Sequence, residues 1–339
     1  MTGKKQLLAA YSAGHFWVDF SCALLLFSCH LERADWSLCV LLYNFCAFAL
    51  QMPLGLLADR LSRNSLVAGK GCLLVLLGWA VSPFGIVSAV FAGMGNACFH
   101  IGGGIDVLNE STRRSAALGI FVSPGAFGIY FGTLFGKTGA ISWLVPAAGL
   151  VFFALLLPGM DAALRGHWDS GNAPLALDGS RTMLWALGCC FLVVVLRSYL
   201  GMLFQFPWKT GSWSLAAVCA VVFGKTAGGF LGDWIGMRRG AAVSLGLAGL
   251  LFLASGNPLA GVAAVFLFNM TMPITLWTAA RLLPGGKGFA FGTLTFALFL
   301  GFLPVYLGWE MPTGGAVYAL GALCSLVLLW MGLKWGDIP

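Results

Sequence analysis

Residues 139–158 read GAISWLVPAAGLVFFALLLP, twenty in a row without a charge. A helix needs about 20 apolar residues to cross the hydrocarbon of a bilayer. Runs of this kind follow one another through all 339 residues, which predicts a polytopic membrane protein rather than a soluble domain with one anchor. The runs are continuous instead of alternating in steps of two, so helices are favoured over a barrel. Twelve candidate spans can be marked: 6–29, 35–58, 65–82, 84–108, 115–136, 139–158, 182–205, 213–232, 240–256, 258–281, 288–308 and 313–334. The longest polar interruption, GMDAALRGHWDSGNAPLALDGSR (159–181), parts six spans from six. The expected domains are therefore 1–158 and 182–339, joined by this central loop.

Composition agrees and excludes other classes. Hydrophobic residues make up 59% and charged residues only 9%, against about 25% charged in soluble domains. The net charge of +7 is spread over short loops. No basic block with interleaved aromatics is present, so nucleic acid is not an expected partner. The ten cysteines fall almost wholly inside apolar segments without a C-x-x-C pair. They read as small packing residues rather than a metal or disulfide framework. The opening MTGKKQLLAAYSAG could pass for a leader, but the apolar run continues to about Cys29 and carries His15 and Asp19, so it reads as a retained first span.

Positive charge orients the chain, because loops facing the cytoplasm are enriched in Lys and Arg. With a cytoplasmic N-terminus, thirteen of the 19 Lys and Arg fall in cytoplasmic segments and three in the opposite loops. Both termini are expected in the cytoplasm. An internal echo supports a two-halved chain. GLLADRLSRN (55–64) and GGFLGDWIGMRRG (228–240) both carry Gly-x-x-x-Asp followed by Arg, with Asp59 and Asp233 about half the chain apart. A repeat of six spans at this offset is what a two-halved transporter would give.

Two six-span halves and these loops resemble the major facilitator superfamily, whose loop between spans 2 and 3 has this pattern. Gly55, Asp59, Arg60 and Arg63 match it, as do Gly229, Asp233, Gly236, Arg238 and Arg239 in the second copy. Ser62 and Asn64 depart from it. Four segments resemble the fosmidomycin-resistance-type members more closely: GHFWVDF (14–20), GMGNACFHIGG (93–103), GIFVSPGAFGIYFGT (119–133) and VVVLRSYLGMLFQFPW (193–208). Ile101, Ala126 and Thr133 replace residues usual there. The resemblance implies an all-α fold of two pseudo-symmetric six-helix bundles in the inner membrane. It also implies proton-driven efflux of a small, often anionic or drug-like compound, by a monomer without cofactor.

Ionisable side chains at bilayer depth are costly and usually face a cavity or one another. In the fold implied by the resemblance, spans 1, 4, 7 and 10 line the central cavity, and each carries polar groups: His15 and Asp19; Asn96 and His100; Arg197; Asn269 and Thr271. Asp19 is the first candidate for proton carrier. Burial disfavours a charged carboxylate and a nearby cation favours it, and a carrier needs that balance. His15 or His100 are the alternatives, and a static pair pinning two helices is the structural reading. Arg197 could bind an anionic substrate or pair with Asp19. Asp106, beside Glu110, reads as part of a charge cluster at the cytoplasmic gate. Asp59 and Asp233, with Arg60, Arg63 and Arg238, are expected to pin helices there. Lys70 and Lys225 can reach the cytoplasmic loops. Among the aromatics, Phe16, Trp17, Phe99, Phe204, Trp208, Trp277 and Phe291 are candidates for the cavity wall, with Phe16 and Phe99 beside the two histidines foremost. GGG at 102–104 is not a phosphate loop, since no Lys-Ser/Thr follows.

The leading expectation is a secondary transporter coupled to protons, in export. Uptake by symport is the alternative. A membrane-embedded enzyme would need a nucleophile–base pair or a metal cluster, for which only His15, Asp19 and His100 offer groups. A non-transporting sensor is the remaining class.

Overall fold

Where lipid excludes water, a backbone must bond its own polar groups, which leaves helices or closed barrels. The computed structural model describes residues 2–163 and 180–338, and its regular elements are all helical. In chain order they are α1 (Thr2–Leu25), α2 (Trp36–Asn44), α3 (Gln51–Leu61), α4 (Asn64–Ala80), α5 (Gly85–Glu110), α6 (Ala116–Val122), α7 (Gly125–Thr138) and α8 (Leu144–Ala163). Then follow α9 (Arg181–Leu203), α10 (Ser212–Ile235), α11 (Met237–Leu253), α12 (Pro258–Asn269), α13 (Thr271–Leu282), α14 (Lys287–Tyr306) and α15 (Gly315–Trp335). Wider π turns close α1 at Leu26–His30 and join α2 to α3 at Phe45–Ala49.

Ten helical stretches among the described residues are long and apolar enough to cross a membrane. Of the twelve runs marked in the sequence, those over 65–82 and 240–256 fold as shorter helices, α4 and α11, of 17 residues each. The central loop expected at 159–181 begins later than its sequence suggests, because α8 runs on to Ala163. Residues 164–179 of that loop lie outside the described residues.

Three expected spans are broken, and each break precedes a proline. Proline lacks an N–H, so the carbonyl four residues back loses its helical partner. Pro53 leaves Ala49, the last residue of the second π turn. Pro124 leaves Ile120 and separates α6 from α7. Pro273 leaves Asn269, where α12 gives way to α13.

The described residues fall into two compact units. The first holds 2–110, 124–163 and 285–296; the second holds 111–123, 180–284 and 297–338. In the first, α4 and α5 lie against each other through glycines. A Cβ on Gly71 would come 2.5 Å from the Phe99 amide nitrogen, and one on Gly95 2.5 Å from the Gly71 carbonyl. Small residues of this kind let helices approach where the hydrophobic effect gives no drive for association. At the turn between α1 and α2, Arg33 clasps Asp35 at 2.8 Å. The Arg33 hydrogen bond holds the Asp35 carboxyl below its ordinary range.

In the second unit, Gly224 and Gly228 of α10 lie against Phe266 and Met270, bringing α10 close to the α12–α13 break. An aromatic core of Phe204, Phe252, Phe268 and Tyr318 fills the same end of the unit, with ring centroids 5.1–5.8 Å apart. Large apolar side chains also point outward, among them Leu155 at 72% exposure and Leu259 at 71%. In a soluble protein these would be liabilities; against lipid tails they are neutral. Exposed Trp143, Trp185 and Trp309 sit at or near helix ends, where indoles favour the headgroup level.

Candidate functional site

Helix α1 carries Tyr11, His15 and Asp19 at four-residue steps, hence on one face. Helix α5 carries Asn96 and His100 at the same step, and Asp106 further along. The two helices join these groups rung by rung within the first unit. Asp19 Oδ1 accepts from Asn96 Nδ2 at 2.7 Å. His15 and His100 meet Nε2 to Nε2 at 2.8 Å. Asp106 accepts from the Tyr11 hydroxyl at 2.5 Å and from Asn64 Nδ2 at 2.7 Å. Lys4 Nζ closes the seam 2.7 Å from Glu110. Numbers rise on one helix as they fall on the other, so the seam is antiparallel. Except for the Lys4–Glu110 end, its side chains are buried.

The chemistry concentrates at Asp19. His15 Nε2 lies 3.2 Å from Asp19 Oδ2, and His100 Nε2 lies 3.7 Å from Oδ1. His100 Nδ1 sits 2.8 Å from the Asn96 carbonyl. A carbonyl only accepts, so that nitrogen carries the proton, and the Nε2 of a neutral His100 is an acceptor. His15 Nε2 then donates, with His100 and Asp19 both in reach. One added proton would put hydrogens on both facing nitrogens unless His15 changed tautomer. The short His15–His100 contact is thus sensitive to the proton count.

His15, Asp19 and His100 also form a group whose donor atoms all lie within 4.8 Å of one another. Such a set could hold a divalent ion. An ion there would have to displace the His15 Nε2 proton and the contacts these side chains make with one another. Glycines of α7 wall this cluster. A Cβ on Gly125 would run into Asp19 Oδ2 and the His15 ring, and one on Gly128 would meet the Phe16 carbonyl and Asp19 Cβ.

Arg197 belongs to the second unit. It is 8% exposed on α9, and its Nη1 has no protein partner. It lines a cavity of about 230 Å³ together with Phe204, Phe206, Phe268, Lys209 and Asn269. Asn269 Nδ2 is spent on the Val265 carbonyl of its own helix at 2.8 Å, which leaves its amide oxygen.

The two Asp-bearing loops act alike. Asp59 accepts from the backbone N–H of Gly288 at 2.8 Å and of Phe289 at 2.9 Å, at the start of α14. Asp233 accepts from the N–H of Ser115 at 2.6 Å and of Ala116 at 3.0 Å, at the start of α6. A carboxylate there meets unpaired N–H groups and the positive end of the helix dipole. The glycine four residues before each Asp has its own reason. A Cβ on Gly55 would strike the Gly288 carbonyl, and one on Gly229 the Ser115 carbonyl. Arg238 Nη2 donates to the Leu333 carbonyl of α15 at 3.3 Å. Arg60 and Arg63 are exposed.

Several residues sit differently from their expected places. Asn96, expected at the substrate, bonds Asp19. Asp106, expected in a charge cluster with Glu110, accepts instead from Tyr11 and Asn64, while Glu110 meets Lys4. Phe99 is fully buried, its ring against Gly14, so it packs helices instead of facing a cavity. Thr271 is buried and returns its hydroxyl to the Phe268 carbonyl. Trp277 donates to the Ser111 carbonyl at 2.8 Å and lies under Arg281, which makes it a fastener for the segment after α5. Phe16 is half-buried and stacks on Phe20. Lys225 bonds the Val122 carbonyl at the end of α6. Tyr11, Phe206 and Lys209 belong to these sites without having been expected there. The Tyr11–His15–Asp19 step was the available signal for the first.

No sequence-family profile matches the chain, and no curated protein is similar to it in sequence. Solved structures are similar in fold. The E. coli fucose:proton symporter FucP, as its N162A variant, superposes with a TM-score of 0.66 at 14% identity, over 99% of this chain and 99% of that one. FucP in an outward conformation, described as a major facilitator superfamily transporter, gives 0.63 at 15% identity over 96% and 99%. A bacterial homologue of the iron transporter ferroportin gives 0.63 at 14% identity over 99% and 100%. The chain has the fold of major facilitator transporters and is a multi-pass membrane protein.

Proposed function

We propose that the chain is a proton-coupled secondary transporter that exports a small organic anion by alternating access. In this reading its spans number twelve, in two six-helix bundles either side of the loop 159–181, with both termini in the cytoplasm. Asp19, with His15 and His100, binds the coupling proton. Arg197 and Asn269 hold the substrate, with Phe16 a further candidate for the wall of its path. Asp59 and Asp233, with Arg238, steady the helix starts that must release during the cycle.

The buried Asp19–His15–His100 cluster carries this reading. Its hydrogen-bond pattern changes with one proton, which is what coupling requires. A site that binds proton and cargo with different strengths in two states links them through reciprocal free energies. Intact charge in both units argues against a protein that kept the fold and lost transport.

Uptake by symport is the second reading, favoured because the similar FucP is described as a fucose:proton symporter. Proteoliposomes with imposed pH gradients of both signs separate the two. Export by antiport predicts substrate moving against the proton gradient, and symport with it. Flux indifferent to the gradient in wild type, or an Asp19→Asn variant that responds like wild type, would remove proton coupling at Asp19.

A further inference from the structure

The cavity beside Arg197 says what kind of anion it is built for. Its charged lining residues are Arg197 and Lys209, and no acid lines it. Arg197 presents a buried guanidinium nitrogen without a protein partner. Leaving a buried charge unpaired is costly, and a carboxylate is the partner that fits a guanidinium fork. Rings line the same cavity. Phe204 stacks on Phe206 at 5.5 Å and meets Phe268 edge-on at 5.8 Å. These walls are fixed. Tyr318 takes the Gln205 N–H and gives its hydroxyl to the Leu203 carbonyl, and Trp208 Nε1 bonds the Ser255 carbonyl at 2.8 Å. The stretch 204–208 is therefore a pinned aromatic rim rather than a loose loop. The volume, about 230 Å³, falls below the roughly 300–1,000 Å³ of drug-sized sites.

We propose that this cavity binds a small single-ring aromatic carboxylate, its carboxylate on Arg197 and its ring against Phe204, Phe206 and Phe268. The inference deepens the proposed function, on which it rests only in taking the ligand to be cargo. An inorganic anion would satisfy Arg197 and leave the rings without a partner. A neutral aromatic would fill the rings and leave the guanidinium short of a counter-charge. Exposed Lys209 gathers anions at the mouth.

The test is equilibrium binding to the purified full-length protein, with no gradient present. Benzoate, cyclohexanecarboxylate, benzamide and inorganic phosphate are titrated by calorimetry. Benzoate should bind most tightly. Arg197→Gln should weaken it by about 10- to 100-fold, the range for a hydrogen bond to a charged group. Arg197→Lys, which keeps the charge and loses the fork, should fall between, and it decides the question if the glutamine variant does not fold. Phe268→Leu should narrow the preference for benzoate over cyclohexanecarboxylate. Phosphate or benzamide binding as tightly as benzoate would overturn the proposal, as would affinity unmoved by either Arg197 change. Benzenesulfonate, which stays charged and crosses lipid slowly unaided, serves for flux. Binding of both benzoate and benzenesulfonate without gradient-driven benzenesulfonate flux supports the site and removes the coupling. Gradient-driven flux of another compound without benzoate binding keeps the coupling and overturns the ligand class.

Discussion

One methyl group at Gly125 tests whether the Asp19 cluster works as the geometry implies. In Gly125→Ala the new Cβ would lie 2.6 Å from His15 Cδ2 and closer still to His15 Nε2 and Asp19 Oδ2, where ordinary contact begins at 3.4 Å. The shortfall is about 1 Å. The helices cannot absorb it cheaply, because Gly128 and Gly132 already hold α7 against the Phe16 and Phe20 carbonyls. The side chains must yield. Moving His15 by this amount takes its 3.2 Å contact with Asp19 to roughly 4 Å, beyond a hydrogen bond. A hydrogen bond to a charged group contributes about 1.5–3 kcal/mol, so gradient-driven transport should fall about 10- to 100-fold. The assay is initial flux in proteoliposomes under a fixed pH gradient, with Gly188→Ala as control, since nothing lies within 4 Å of a Cβ there. Adding His15→Ala should relieve the crowding, so the double variant should lose less thermal stability than the single losses sum to. A Gly125→Ala protein that keeps wild-type flux and stability would refute the reasoning.

Two further outcomes follow from the same network. Asp59→Asn should speed hydrogen exchange at the amides of Gly288 and Phe289 by about 5-fold or more, given roughly 1 kcal/mol for a carboxylate at a helix start. Asp233→Asn should do so at Ser115 and Ala116, each variant leaving the other pair unmoved; mass spectrometry of the two segments reads this directly. Tyr11→Phe takes from Asp106 the hydroxyl it accepts from at 2.5 Å, and should destabilise the protein by about 1–3 kcal/mol in thermal unfolding, with Asn64→Ala adding less than independently.

Much of this could be read from residue order, and the limit falls at a definite place. Charge-free runs mark where helices lie, because the bilayer sets their length. Four-residue steps set His15 with Asp19, and Asn96 with His100, because one helix turns in 3.6 residues. Spacing names a face and leaves its partner open. Asn96 reads as well for a substrate as for Asp19 until α5 is laid against α1. Trp277 is 166 positions from the carbonyl it bonds, and nothing near it in sequence carries that address. The breaks at Ser123 and Met270 were legible in principle through Pro124 and Pro273. A hydrophobic run weighs side chains and ignores the missing amide, so it does not show them.

The antiparallel seam between α1 and α5 has a consequence for inheritance. Its rungs differ in kind: ammonium with carboxylate, phenol with carboxylate, imidazole with imidazole, amide with carboxylate. A slip of one turn, about 5.4 Å, would break these rungs together, although a new pair such as Asp19 with His100 would still suit each other. A substitution at His15 takes from buried His100 its Nε2 contact, one at Tyr11 takes from Asp106 one of its donors, and one at Asn96 takes a donor from Asp19. As sequences drift, these positions are bound to change in pairs, if they change at all. The seam would then be recognisable among distant relatives as linked columns, even where no single residue of it survives.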